Sequence, residues 1–98
     1  QIAEMYVEEQ AARLLVYRAA TNRDLGQRNT IEVSCAKYYA AEVAVKAANQ
    51  AVKIFGSYGF STEYPVERFY RDAKSYQIVE GTSNIQKMII ARNALGLK

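Results

Sequence analysis

The residues best suited to chemistry are three in a row, Glu80-Gly81-Thr82. Glu80 follows the apolar pair Ile78-Val79 and precedes a glycine and a helix expected to start near Thr82 or Ser83. Apolar surroundings raise a carboxyl pKa, whereas the amides of a helix N-terminus favour the ionised form. Together the two effects suit a carboxylate to proton abstraction near neutral pH. Gly81 lets a ligand approach the backbone closely, and the N–H groups after it can receive an anion or an oxyanion. The simpler alternative is a first-turn glutamate that only complements the helix dipole, and spacing alone favours it.

Composition narrows the remaining chemistry. With no histidine and a single cysteine, Cys35, the 98 residues hold no Ser–His or Cys–His nucleophile, no disulfide framework and no metal site of the zinc type. Proton transfer falls to a carboxylate, a lysine or a tyrosine. Gly56 and Gly59 could admit a cofactor, but they lack the strand-turn-helix setting of a dinucleotide fingerprint, and a helix C-cap explains both. The eight tyrosines suit packing and interfaces. Arg71-Asp72 reads as a structural ion pair. The net charge of +3 is spread along the chain, and its densest segment, 67–72, carries both signs, which argues against nucleic-acid binding. No apolar run approaches the roughly 20 residues needed to cross a bilayer, and no signal peptide is visible.

The elements that must position these residues are helical. From Ile2 to about Thr21 nothing breaks a helix, and Ile2, Met5, Ala12, Leu15, Val16 and Ala19 mark one apolar face. Glu9 and Arg13 form a favourable i,i+4 pair. A turn follows, with Gly26 available for a left-handed conformation. A second helix, capped by Asn29 or Thr30, carries the stripe Val33, Ala36, Ala40, Val43, Ala47, Ala51 and Ile54, expected to lie buried against the first helix. Gly56 and Gly59 end it and open a loop. Pro65 starts a short helix that runs to about Asp72 or Lys74. Residues 75–79 read as extended or irregular. A last helix begins near Thr82 or Ser83, where Ser83-Asn84-Ile85-Gln86 has capping-box form, and stops at Gly96. The fold class is all-α, a helical bundle.

One pattern ties the last 45 residues together. Gly56-x-x-Gly59-Phe60-x-x-Glu63-Tyr64-Pro65-Val66-Glu67-Arg68-x-x-Arg71-Asp72-Ala73-Lys74, followed by Gln77-Ile78-x-Glu80-Gly81-Thr82-Ser83-x-Ile85-Gln86, resembles the C-terminal helical domain of acyl-CoA dehydrogenases. The likeness extends upstream through Ala36-Lys37 to residues 11–15. It implies that residues 1–98 are a C-terminal piece of a longer flavoenzyme, with one helix of the bundle lying upstream. The implied reaction is FAD-dependent oxidation of an acyl-CoA thioester to its trans-2-enoyl-CoA, in a homotetramer that passes electrons to an electron-transfer flavoprotein. On this resemblance Glu80 is the base that takes the α-proton, its backbone N–H donates to the thioester carbonyl, and Gly81 lies against the substrate. Thr82, Ser83 and Asn84 would touch FAD, while Lys53, Ile54, Phe55, Gly56 and Ser57 would reach the FAD of a neighbouring subunit.

The sequence departs from the family pattern at Lys53, often Gln, at Ser57, often Gly, and at Asn84, commonly Glu or Gln. Val79 stands where many straight-chain enzymes carry tyrosine, which points to an acyl pocket of another shape, suited to a branched, cyclic or dicarboxylic acyl group. The isolated piece is expected to be inactive and free of FAD. The resemblance places the enzyme in a bacterial or archaeal cytoplasm or in the mitochondrial matrix. Two other readings stay open: a helical module for structure or oligomerisation, against which the intact Glu80-Gly81-Thr82 argues, and an acyl-CoA oxidase.

Overall fold

The computed structural model describes residues 2–79 and 81–96. In chain order they form α1 (Ile2–Asp24), α2 (Thr30–Phe55), a 3-10 turn (Gly56–Phe60), α3 (Val66–Ser75) and α4 (Ser83–Ala94), with no strand among the described residues. The all-α expectation holds. α2 sets the length of the molecule: 26 residues without glycine or proline, rich in alanine, make a rod about 39 Å long. The other elements lie along it, so the radius of gyration is 15.6 Å, above the roughly 13 Å of a compact domain of this size.

Every helix packs on α2. α1, α3, α4 and the 3-10 turn all touch it, α3 also touches the 3-10 turn, and among the described residues α1, α3 and α4 do not touch one another. The core is therefore a thin line of small side chains: Ala36, Ala41 and Val43 of α2, Ala12 and Ala19 of α1, Val66 and Ala73 of α3. Alanine permits close helix approach but buries little area per residue.

This arrangement corrects the expected single stripe. Val33 and Ile54 are 47% and 53% exposed. Ala40, Ala44 and Ala47 line an open furrow, with Ala12 and Val16 of α1 on its other wall. Ile2 and Val16 of the expected α1 face are exposed as well. A helix approached from several sides buries residues around its circumference, so one 3.6-residue stripe does not describe it.

The helix ends were read more closely than the faces. Gly26 takes the left-handed conformation, with φ 72°. Asn29 stands at the N-cap of α2, but its side chain does not cap; its Nδ2 donates to the Ala19 carbonyl (3.1 Å) and ties α1 to the start of α2. Gly56 is the C-cap of α2, donating to the carbonyls of Val52 and Lys53. Gly59 is not part of that cap: a Cβ there would stand 2.5 Å from the Val52 carbonyl oxygen, so it is needed for the 3-10 turn to fold back on α2. In α3, Arg71 pairs with Glu67 (2.8 Å), one turn earlier, instead of Asp72. Residues 75–79 are not extended: α3 runs to Ser75 and continues in turns, with the N–H groups of Ile78 and Val79 both donating to the Ser75 carbonyl (2.9 Å each). Local i→i+3 and i→i+4 bonds here override the β-preference of Ile78 and Val79.

Because the Gly59 contact is with backbone, Gly59→Ala is expected to cost about 1–3 kcal/mol, the usual penalty of overpacking. Chemical unfolding checks this, and an unchanged midpoint would contradict the close approach.

Candidate functional site

The site is built around the start of α4. Thr82 is the N-cap, extended at φ −63° and ψ 160°, and its Oγ1 accepts the N–H of Ile85 (3.2 Å). The cap thus lies one residue before the expected Ser83 box, and Gln86 does not serve as the reciprocal partner. Its side chain is instead buried, 9% exposed, and folds over Gly81, where a Cβ would meet Gln86 Nε2 at 2.6 Å. Gly81 itself sits at φ 97°. The left-handed φ makes glycine the residue that fits between Glu80 and the cap, and the Gln86 amide would have to shift for any side chain there.

The Ser83 N–H does not point to open solvent. It donates to the carbonyl of Gln77 (3.0 Å), which closes the neck of a seven-residue loop, 77–83. Glu80 is the middle residue of that stretch in the sequence and lies outside the described residues. Ser83 Oγ is buried with no hydrogen-bond partner among the described residues.

Two side chains of α2 reach the same neck. Gln77 Nε2 donates to Glu42 Oε1 (3.0 Å) in a half-buried contact. Lys37 Nζ donates to the Tyr76 carbonyl, among the last carbonyls of α3. Between α1 and Tyr76 the furrow on α2 has a volume of about 400 Å³, lined by Val16, Ala36, Ala40, Ala41 and Ala44. Gln77 and Lys37 belong to the family pattern, yet nothing in the sequence marks their role. Glu42 carried no signal at all, since a glutamate on a long helix reads as solvated surface.

Of the candidate residues, Gly81, Thr82, Ser83 and Asn84 share this helix end. Lys53, Ile54, Phe55, Gly56 and Ser57 do not join them. They are exposed at the far end of α2, and the 13 helical steps from Glu42 to Phe55 separate the two groups by about 20 Å. Beside this second group Tyr64 packs edge-on against Phe55 and Tyr58, with ring centroids 6.1 and 5.5 Å away. Among the described residues no cluster of His, Cys, Asp and Glu could hold a metal ion, and no helix is long and apolar enough to cross a membrane.

Comparison with known proteins shows that residues 1–95 match the model for the C-terminal domain of acyl-CoA dehydrogenases. The chain belongs to the acyl-CoA dehydrogenase family. It is 56% identical over 98 residues to the glutaryl-CoA dehydrogenase of Desulfococcus multivorans, covering 99% of this chain and 25% of that protein. A solved glutaryl-coenzyme A dehydrogenase in complex with glutaryl-CoA superposes with a TM-score of 0.94 at 56% identity, over 99% of this chain and 25% of the other. The FAD complex of PigA superposes with a TM-score of 0.92 at 33% identity, over 98% of this chain and 25% of the other. This acyl-CoA dehydrogenase domain thus spans about a quarter of the length of the relatives it matches.

The geometry of the α4 start yields a direct test. Gly81→Ala forces a side chain into the left-handed region and against Gln86, at an expected cost of about 1–3 kcal/mol. Thr82→Ala removes the cap at about 1 kcal/mol, and Thr82→Ser preserves it. Denaturant titration reads all three; a Gly81→Ala midpoint equal to wild type would contradict the strain described.

Proposed function

We propose that this chain is the base-carrying domain of an FAD-dependent acyl-CoA dehydrogenase, with Glu80 as the base. The observation that carries the reading is the start of α4: a Thr82-capped helix preceded by Gly81 at φ 97°, directly after the glutamate in the sequence. A helix N-terminus favours negative charge on a carboxylate close to it and on an oxyanion that develops there. The glutaryl-CoA dehydrogenases at 56% identity support the substrate class, an acyl-CoA thioester.

In this reading the Glu80 carboxylate takes the α-proton of the thioester, and the C–H electron pair moves toward the carbonyl. The Glu80 backbone N–H donates to that carbonyl oxygen, where negative charge develops. Gly81, without a side chain, leaves room for the substrate. When bound, FAD would supply the hydride acceptor for the β-carbon, and the pair from the α-C–H bond would end as the Cα=Cβ bond. The residues present fit such a cofactor: Ser83 Oγ is a buried oxygen without a partner among the described residues, and a polar ligand edge would satisfy it. Thr82, Ser83 and Asn84 would hold it from this chain. The 20 Å separation of Lys53, Ile54, Phe55, Gly56 and Ser57 suits contact with the FAD of another subunit, in a homotetramer served by an electron-transfer flavoprotein. A dicarboxylic acyl group such as glutaryl is the first substrate to test, since Val79 is smaller than the tyrosine found there in many straight-chain members.

Glu80→Gln in the whole flavoenzyme keeps size and polarity but removes the basic oxygen. Binding of FAD and acyl-CoA should persist, while flavin reduction at saturating acyl-CoA should fall by about 10²–10⁴ or more, the scale of a lost general base. Glu80→Asp should keep part of the activity, its carboxylate standing one methylene short. Anaerobic stopped-flow bleaching of the flavin measures both, and reduction of Glu80→Gln at the wild-type rate would place the base elsewhere.

A further inference from the structure

We propose that Glu42 and Lys37 of α2 are positioning residues that hold the neck of the 77–83 loop and thereby set the place of the base, an inference that rests on the assignment of Glu80. The loop's own bonds hold its shape but not its location. The N–H groups of Tyr76, Gln77, Ile78 and Val79 are all used within the α3 end, on the carbonyls of Ala73, Lys74 and Ser75, and the Gln77 carbonyl receives Ser83. None of these bonds refers to α2, the element on which α3 and α4 separately pack.

Beside the packing of α3 and α4 on α2, two side chains tie the neck itself to that helix. Glu42 Oε1 accepts from Gln77 Nε2 at 3.0 Å, a bond to a charged group in a half-buried place. Lys37 Nζ donates to the Tyr76 carbonyl, a cation on the otherwise unsatisfied end of α3. Tyr76 and Gln77 are the residues at which the chain leaves α3 for Glu80. Ser83, bonded to Gln77, is the first residue of α4. This pair of contacts therefore adds, to the packing of α3 and α4, a direct tie from the neck of the loop to α2. A general base tolerates little displacement: about 1 Å of misplacement costs roughly 10²-fold.

The test uses the whole flavoenzyme, FAD-loaded, with glutaryl-CoA or another acyl-CoA that reduces its flavin. Glu42→Ala should lower the limiting rate of flavin reduction by roughly 10- to 100-fold, with the half-saturating acyl-CoA concentration nearly unchanged. Glu42→Gln keeps the accepting oxygen and should restore most of the rate. Lys37→Met should behave as Glu42→Ala does. In a Glu80→Gln background, Glu42→Ala should add no further loss, because the group it positions is already gone. If Glu80→Gln reduces its flavin at the wild-type rate, the assignment of the base fails. If Glu80→Gln collapses while Glu42→Ala keeps the wild-type limiting rate, loses only affinity, or adds its full loss to Glu80→Gln, the positioning role is overturned. Should Glu42→Ala not retain flavin, Glu42→Asp carries the test: an intermediate rate supports the proposal, and the wild-type rate overturns it.

Discussion

All helix packing in the described molecule passes through α2. Its alanines let α1, α3 and α4 approach on different sides, while those three do not meet. The position of each is therefore its position on α2, and the core is a line of Ala36, Ala41, Val43 and their small partners. Such a core buries little area, and large apolar groups such as Leu14, Phe60 and Leu95 stay exposed. That agrees with a domain matching about a quarter of the length of its relatives.

The same dependence reaches the site. The start of α4 is locally well specified by the Thr82 cap, by Gln86 folded over Gly81 and by the Ser83–Gln77 bond. These contacts shape the loop, and Lys37 and Glu42 add hydrogen bonds from α2 to its neck, beside the packing of α3 and α4. Local shape and placement on α2 thus draw on residues of the motif and of the neighbouring helix. In an acyl-CoA dehydrogenase of the proposed kind, proton abstraction needs both, since the carboxylate must be held in a fixed direction against a substrate carried by other parts of the protein.

Much of this was legible in the sequence, for reasons that differ by element. Helix existence followed from uninterrupted patterns and from glycines and proline at the ends, and all four helices lie where those signals put them. The family followed from residues 56–86, whose order is too long to arise from packing alone. Burial was less legible: periodicity finds one face, and α2 has several partners. For the 75–79 segment the irregular alternative holds and the extended one does not: Ile78-Val79 suggests extended chain, while four turn hydrogen bonds fold it into turns. The shift of the cap from Ser83 to Thr82 is invisible in composition, since both hydroxyls can cap. The Glu42–Gln77 contact spans 35 positions, and no local pattern encodes a pairing of that reach.

If Glu80 is the base, it removes a proton from the carbon next to a thioester. An acyl thioester with α-hydrogens but no third carbon, acetyl-CoA, cannot be desaturated, so its α-protons report on the base without any flavin reduction. Incubated in deuterium oxide with the whole FAD-loaded enzyme, acetyl-CoA should incorporate deuterium at the α-carbon, detected by mass spectrometry. The Glu80→Gln enzyme, still binding the thioester, should exchange no faster than the solution without enzyme. Equal exchange by both enzymes would contradict the account.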